Sequence, residues 1–348
     1  MNIKILDSSG SAAYDNYVYA HPRATLYHLS GWRNVITKTY GHKNYYFKAV
    51  RDDGAIAGVL PLVHLKSILF GNNLISIPFF DTGGMLADDE ATEKAILNQA
   101  VNLGAALKAD RIELRHIAPL MSESPPNTVT HSHKVLMQIE LPGNADMLMK
   151  TFKAKLRSQI KKPLKEGLYS KIGGSELSED FYKVFLINMR DLGSPVHSKK
   201  LITSVLDEFP DQSRIIMVYK EKQPLACAFV IGFRDILENP WASSLREYSY
   251  LSPNMLLYWV MLEYACNNGY KCFDFGRSTP GQGTYKFKEQ WGAKPVPLNW
   301  HTLYLKGQPG QTESSGTSKF DTAVRYWKKF PVSVTKIIGP VIRKHIDL

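Results

Sequence analysis

The residues best suited to chemistry lie together between Lys271 and Gly292, in the run Lys-Cys-Phe-Asp-Phe-Gly-Arg-Ser-Thr-Pro-Gly-Gln-Gly-Thr-Tyr-Lys-Phe-Lys-Glu-Gln-Trp-Gly. Alternation from Lys271 to Phe275 predicts a strand, which runs into a loop holding Gly276, Pro280, Gly281 and Gly283. A glycine turn at a strand end leaves backbone N–H groups able to meet an anion, and Lys286 and Lys288 add positive charge beside it. The layout suits a phosphate or carboxylate; a plain turn between strands accounts for the same glycines. A nucleotide P-loop does not fit, because Gln282 stands where a lysine should follow the second glycine. Acyl transfer needs an amine nucleophile, a route for its proton and stabilisation of the oxyanion. Read as an alternating strand, Lys286 and Lys288 share one face, opposite Tyr285 and Phe287. With the N–H groups near Gly281 to Gly283 they could serve the oxyanion. Asp274, at the strand end, is the candidate base, with capping of the loop as its structural alternative.

Other polar groups carry weaker signals. His197 sits in a loop, Leu192-Gly-Ser-Pro-Val-His197, either lining a cleft or as an ordinary loop residue. His131 and His133 would share a strand face, but with no third ligand nearby they make no metal site. Asp81-Thr82-Gly83-Gly84 reads as a tight turn, or as part of an acceptor cleft. Cys227, Cys266 and Cys272 are scattered, with neither disulfide nor CxxC spacing, and read as core thiols of a reduced, cytoplasmic protein.

The formal net charge is +11 and unevenly placed. Between Leu148 and Lys171 stand Lys150, Lys153, Lys155, Arg157, Lys161, Lys162, Lys165 and Lys171 against one acid, Glu166. Such a field draws phosphates, nucleic acid or an anionic membrane face; the alternative is a solvated helix face. Lys155, Arg157, Lys161 and Lys162 are expected to reach one groove. Aromatics are missing between Lys153 and Lys165, which favours phosphate contacts over base stacking and so a transferase over a non-catalytic binder of nucleic acid or anionic glycan.

At 348 residues, with 44% hydrophobic and 22% charged content, the chain has the length of two ordinary globular domains. The N-terminus lacks a signal-peptide core, and no apolar run has membrane-spanning length. The two halves read alike: a hairpin (residues 45–63), a helix (91–109) and a strand (111–115), then a hairpin (214–231), a helix (255–268) and a strand (272–275). This predicts a duplicated α+β unit. The junction is expected after Leu141-Pro142-Gly143, with residues 134–140 as the last strand of the first unit and the basic segment as the first helix of the second, broken near Pro163 or Gly167. Residues 307–318 read as a flexible linker. The tail from Phe320 to Leu348 interleaves six Lys/Arg with Tyr326, Trp327, Phe330 and several aliphatics. It either docks on its own core or lies on a membrane surface, with Pro331 and Pro340 breaking it into short pieces.

On three segments the chain resembles the FemABX peptidyltransferases, and is most similar to the FemAB-related proteins found with exopolysaccharide and protein-sorting (PEP-CTERM) systems. These segments are 152–167, with its basic helix; 252–259 running through Gly269 to Phe273-Asp-Phe-Gly-Arg277; and Gly283-Thr-Tyr-Lys-Phe-Lys288 to Trp291-Gly292. The resemblance covers about residues 1 to 305 and implies two GNAT-like (acetyltransferase-fold) domains, 1–143 and 144–305, with a groove between them, then a linker and basic tail over 306–348. It implies an aminoacyl- or acyltransferase forming an amide on a cell-envelope or exopolysaccharide precursor, phosphorylated or nucleotide-linked. No permanently bound cofactor is implied, and the donor is aminoacyl-tRNA or acyl-CoA. Lys288 matches the lysine of the family's Phe-Lys pair, near the reaction site; the Arg157 region matches its phosphate- or donor-contacting helix; Arg277 lies near the site. The chain departs from some members in having no long helical insertion between Ser170 and Arg214. Where a GNAT loop would hold CoA pyrophosphate, Leu251-Ser252-Pro253-Asn254 lacks the glycines and arginine, and the first unit's Asp88-Asp89-Glu90 is acidic. The expected site is therefore Lys288 and Asp274 for chemistry, with Lys155, Arg157, Lys162, Arg277, Gly281, Gly283, Tyr285 and Lys286 around the substrate. Lys288→Glu is expected to abolish activity without changing the melting temperature. The protein is expected in the cytoplasm, with the tail placing it at the inner membrane surface if it contacts lipid.

Overall fold

The computed structural model describes residues 1–7, 9–307 and 317–347, with two compact units. Most of the expected linker, 308–316, lies outside the described residues. In chain order the first unit opens with β1 (Asn2–Ile5), α1 (Ser11–Ala20), α2 (Gly31–Tyr40), β2 (Lys43–Val50), β3 (Ile56–Ser67), β4 (Gly71–Ile75), β5 (Leu86–Ala87), α3 (Glu90–Ala106), β6 (Arg111–His116) and β7 (Thr128–His131). The second holds β8 (Val135–Glu140), α4 (Ala145–Thr151), α5 (Ala154–Lys165), β9 (Leu168–Gly173), α6 (Ser178–Leu192), α7 (Lys199–Glu208), β10 (Ser213–Lys220), β11 (Gln223–Phe233), β12 (Ile236–Ser244), α8 (Pro253–Asn267), β13 (Cys272–Ser278), α9 (Gly283–Glu289) and β14 (Lys294–Pro297). The chain then returns to the first unit with β15 (Asn299–Tyr304), and ends in α10 (Thr317–Trp327) and α11 (Val332–Arg343), residues 320–343 belonging to the second unit.

The duplication expected from the repeated hairpin, helix and strand is present. The first sheet runs β1-β2-β3-β4-β6-β15-β7, the second β9-β10-β11-β12-β13-β8-β14. In each, an antiparallel meander is followed by a helix, α3 or α8, that crosses to a strand parallel to the meander's last: β4 with β6, β12 with β13. The alternating apolar residues of the meanders meet the crossover helices in the cores. Phe47, Leu60, Leu62, Leu74, Ile96, Ile112 and Leu114 fill the first; Ile216, Val218, Leu225, Leu257, Leu262, Phe273 and Trp291 contribute to the second. Asp89 starts α3 by accepting the Thr92 N–H at 2.8 Å.

The unit boundary differs from the expected one. β8 is not the last strand of the first unit: it lies in the second sheet, antiparallel to β13 with Phe273 opposite Ile139. The corresponding place in the first sheet, beside β6, is filled by β15, whose sequence follows the second unit. Each sheet needs a sixth strand to cover the flank of its parallel strand, and the chain supplies both by exchanging segments across the junction. The basic segment is two helices, divided at Phe152-Lys153 and not at Pro163, which sits inside the last turn of α5.

The first unit buries an unusual set of imidazoles. His28 (3% exposed), His116 and His301 are enclosed, and His28 Nε2, His116 Nδ1 and His301 Nε2 meet no hydrogen-bond partner. His116 accepts the Met85 N–H at 2.8 Å, and the His116 and His301 rings lie 5.3 Å apart. Gly84 belongs to this packing, since a Cβ there would come within 2.4 Å of the His116 ring. The Asp81–Gly84 segment is thus interior packing, with Thr82 4% exposed. Burial pushes all three imidazoles down, His28 to about 3. A histidine held neutral when folded but free to protonate when unfolded gives the unfolded chain the extra proton below its ordinary value of 6.5, so stability falls as pH falls. For His28 the slope approaches about 1.4 kcal/mol per pH unit as pH falls below 6.5 toward its folded value, and His116 and His301 act in the same direction. The urea midpoint should therefore drop between pH 6.5 and 5, and His28→Gln should flatten that slope; a pH-independent midpoint would show that these imidazoles titrate normally.

Candidate functional site

The parallel strands of the second unit pair at only three positions: Ile236 with Cys272, Leu237 with Phe273, Glu238 with Asp274. Beyond them β12 continues along β11 to Ser244, while β13 continues along β8 to Ser278. Both strands are irregular at the fork. Asn239 and Pro240 bulge from β12 as the register shifts between Phe229 and Ile231, and Phe275 and Gly276 bulge from β13 between Asp274 and Arg277. Gly276 has φ +75°, which favours glycine, and a Cβ there would also press on the Asn239 carbonyl at 3.3 Å. Asn239 is 4% exposed and its amide donates to Phe229 O (3.0 Å) and Trp241 O (3.1 Å), fixing the β12 bulge.

Lys288 and Asp274 hold the β13 bulge. Lys288 is 7% exposed, and its ammonium donates to the carbonyls of Gly276 (3.0 Å) and Arg277 (2.9 Å). Asp274 is 3% exposed; Oδ1 accepts the Gly276 N–H at 2.7 Å, and Oδ2 accepts the Gln138 amide at 2.8 Å. Both residues are at the expected place but turn inward on the backbone. Their geometry is that of positioning residues, which set where the backbone of Gly276 and Arg277 runs. Arg277 is half-buried on the strand past the fork.

Residues 283–289 form a helix, not the expected strand, so Lys286 and Lys288 do not share a face: Lys286 is exposed and Lys288 is buried. The helical signal is the i,i+4 pair Phe287–Trp291, with ring centroids 6.3 Å apart, and Phe287 also packs on Tyr258 at 4.9 Å. Tyr285 is half-buried against the core. Gly281 and Gly283 are exposed, and a Cβ at either would meet nothing within 4 Å, so neither is shaped by close approach.

On α5 the buried stripe is Leu156, Ile160 and Pro163, and the basic residues flank it on both sides. Arg157 donates to the Phe152 carbonyl (3.1 Å), and Lys162 to the Tyr250 carbonyl (2.8 Å), so these two do not converge with Lys155 on one groove. Lys155 does line a cavity of about 1350 Å³, with Lys153 and Lys294, the apolar Phe152 and Trp291, and Gln138, whose amide holds Asp274. The cavity and the fork are thus joined through one side chain. Gln138 and Asn239 are the members that sequence reasoning missed. The only signal for Asn239 was an Asn-Pro inside an otherwise extended run, which reads as a turn and hid β12 altogether. His197 is 1% exposed and accepts the Arg343 Nε–H at 3.0 Å, a structural contact and not a cleft position.

The first unit repeats this frame with a different outcome. By register Arg115 stands where Gly276 stands, two residues beyond the last parallel pair, Ile75 with Glu113. Arg115 is fully buried: it donates to Glu113 Oε1 (2.8 and 2.7 Å) and to Phe80 O (2.6 Å), with its guanidinium 4.5 Å from the Trp300 ring. A side-chain network occupies that fork. The crossover helix of that unit, α3, has Glu90 and Glu93 in its first turn, whereas α8 has no acid there.

Residues 150–289 match the model of the acetyltransferase (GNAT) domain family, within the second unit. Among solved structures, FemX superposes with a TM-score of 0.66 at 15% identity, covering 88% of this chain and 98% of FemX. The chain has a tandem GNAT fold. A tandem GNAT protein from the clavulanic acid biosynthesis pathway gives 0.55 at 10% identity (88% and 99% covered), and L-PGS from Bacillus licheniformis gives 0.53 at 11% (94% and 99%). No curated protein matches the sequence.

Two tests follow from the geometry. Lys288→Met keeps the stem but leaves two buried carbonyls without their donor, at about 1–3 kcal/mol each; the melting temperature should fall by several degrees, the reverse of the sequence-based expectation, and an unchanged value would return the lysine to the chemistry. Burial pushes the Cys227, Cys266 and Cys272 thiols up, Cys272 to about 12 with Asp274 and Glu140 adding to it. Native protein at pH 8 should therefore react slowly with iodoacetamide at all three, and fully once denatured; fast native alkylation of Cys272 would contradict this.

Proposed function

We propose that this chain is an acyl- or aminoacyltransferase that joins an acyl group to an amine of a phosphate-bearing cell-envelope or exopolysaccharide precursor, with the donor's acyl group seated in the fork between β12 and β13. One observation carries the reading: two copies of the same frame differ at their forks, glycine in one and a buried arginine network in the other. A frame kept for stability alone has no reason to spare one fork while filling the other. The family match over 150–289 falls on the unit with the glycine fork, and the fold likeness to FemX and L-PGS supports amide or ester formation with an activated acyl donor.

In this reading parting strands offer an extended ligand main-chain hydrogen bonds at their edges, as strand addition does elsewhere. The amine nitrogen attacks the acyl carbon, a C–N bond forms, the donor's C–O or C–S bond breaks, and the proton lost by the amine leaves on the departing oxygen or sulfur. Lys288 and Asp274 act by fixing the β13 bulge, Arg277 meets the donor or acceptor charge, and the rim lysines Lys153, Lys155 and Lys294 of the adjoining cavity hold phosphate. The donor is aminoacyl-tRNA or acyl-CoA, the former favoured by the FemX likeness and by α8 opening on Ser252-Pro253 without a glycine loop.

The test uses the purified full chain with labelled aminoacyl-tRNA or labelled acetyl-CoA and UDP-linked or polyprenyl-linked sugar acceptors, read by mass spectrometry. Transfer of label into an amide is expected from one donor class. Arg277→Ala should lower kcat/KM at least tenfold, and Lys153→Ala with Lys155→Ala should raise the acceptor KM. Binding of the acceptors with no transfer from either donor would overturn the enzymatic reading.

A further inference from the structure

The outer face of α11 takes part in neither the core nor the fork. Its inner face is fixed on the second unit: Thr335, Gly339 and Arg343 are buried, Arg343 donates to His197, and a Cβ at Gly339 would come within 3.1 Å of Val196. Pro340 is accommodated inside the helix, which is continuous from Val332 to Arg343. α11 therefore docks on the second unit, and docking leaves one side uncovered. That side shows Val334 (37% exposed), Ile337 (72%) and Val341 (59%), at i, i+3 and i+7, a single helical stripe. Phe330 and Tyr326, also exposed, extend the apolar surface toward α10. Around it Arg325, Lys328, Lys329 and Lys336 are exposed, and residues 322–346 contain no acid.

We propose that this face is a docking surface for an anionic phospholipid bilayer, with Val334, Ile337 and Val341 entering the boundary between headgroups and acyl chains and the surrounding cations lying on lipid phosphates. The charge pattern selects this occupant. A convex apolar stripe whose own two helices carry cations and no acid from 322 to 346 complements a fluid anionic interface, with Glu179 of α6 offsetting Lys336 at one edge, whereas a second copy of the same net positive face would set like charges against each other. No helix among the described residues is long and apolar enough to cross a membrane, so the contact is peripheral. The proposal stands independently of the transferase reading.

Co-sedimentation of the full chain with phosphatidylcholine vesicles, with and without about 30% phosphatidylglycerol, tests it, the composition being chosen to give a surface potential in the range where each basic residue counts. Wild type should bind the anionic vesicles at least tenfold more tightly than the neutral ones. Ile337→Glu with Val341→Glu should weaken that binding at least tenfold at an unchanged melting temperature, because both side chains are exposed. Lys328→Gln with Lys329→Gln and Lys336→Gln should weaken it and flatten its salt dependence. The other exposed apolar cluster, Ile68, Leu69 and Phe70 at the β3–β4 turn, is the control. Any of three results overturns the proposal: no wild-type binding to either vesicle, unaltered binding by the Ile337/Val341 variant, or binding lost in Ile68→Ser with Leu69→Ser but kept in the α11 variants. A wild-type dimer that the Ile337/Val341 variant splits, with no vesicle binding, overturns it in favour of self-association.

Discussion

A buried ammonium bonded to two main-chain carbonyls sets the geometry of the second unit's strand fork. Parting two paired strands leaves backbone groups to be satisfied in another way. Here Lys288 takes up the carbonyls of Gly276 and Arg277, Asp274 takes up the Gly276 N–H, and Asn239 does the same work on the facing strand. A charged group is costly to bury without such partners. Its placement at a strand irregularity, instead of at the surface reached by Lys286 two residues earlier on the other side of the helix, ties the charge to the shape of the fork.

The comparison between the two units sharpens this point. Both use a meander, a crossover helix and a parallel strand, and both stop pairing after three residues. In the first, Arg115 spans the space, neutralised by Glu113 and covered by Trp300, and the surrounding imidazoles are buried in neutral form. That unit has converted the position into packing. In the second, the glycine has no side chain to offer, and the polar groups are drawn back onto the backbone. The same frame thus carries a buried side-chain network in one copy and a glycine in the other, through one residue type at matching register.

How far this could be read in advance follows from the range of each signal. The duplicated frame was legible because hairpins write their period locally and the crossover helices stand out as long runs free of turn residues: Tyr45 to Val63 and Arg214 to Ile231 lie inside the hairpins found, and Met255 to Asn268 matches α8 to within one residue at its end. The exchange of β8 and β15 was not legible, since an alternating strand carries no mark of which sheet it will join; pairing is settled by the exposed flanks of β13 and β6, far away in sequence. β12 was hidden by Asn239-Pro240, a pair that means a turn locally and a bulge in this context. The segment from Gly283 was misread because Tyr285, Phe287 and the lysines between them alternate over so few residues that a period of two and a period of 3.6 cannot be separated without Trp291. That single error moved Lys288 from a groove wall to the interior.

The sequence singles out Lys288 and Asp274 but carries no sign that both bind the loop's own backbone, and the reason is general. A lysine after a glycine loop looks the same in sequence whether it meets a ligand anion or the loop's own carbonyls, because both present oxygen to an ammonium. What separates them is burial, and burial depends on the helical turn that carries the side chain. On α5 the same ambiguity resolves residue by residue: Arg157 and Lys162 are occupied by carbonyls of their own unit, and Lys155 faces the cavity. A positive segment is thus better described as a supply of donors, part of which the fold uses on itself. Of the rest of that segment, Lys153 and Lys155 line the cavity, joined there by Lys294 and faced by Glu140 and Glu289, so that their charge is directed by a concave surface and not by the helix alone.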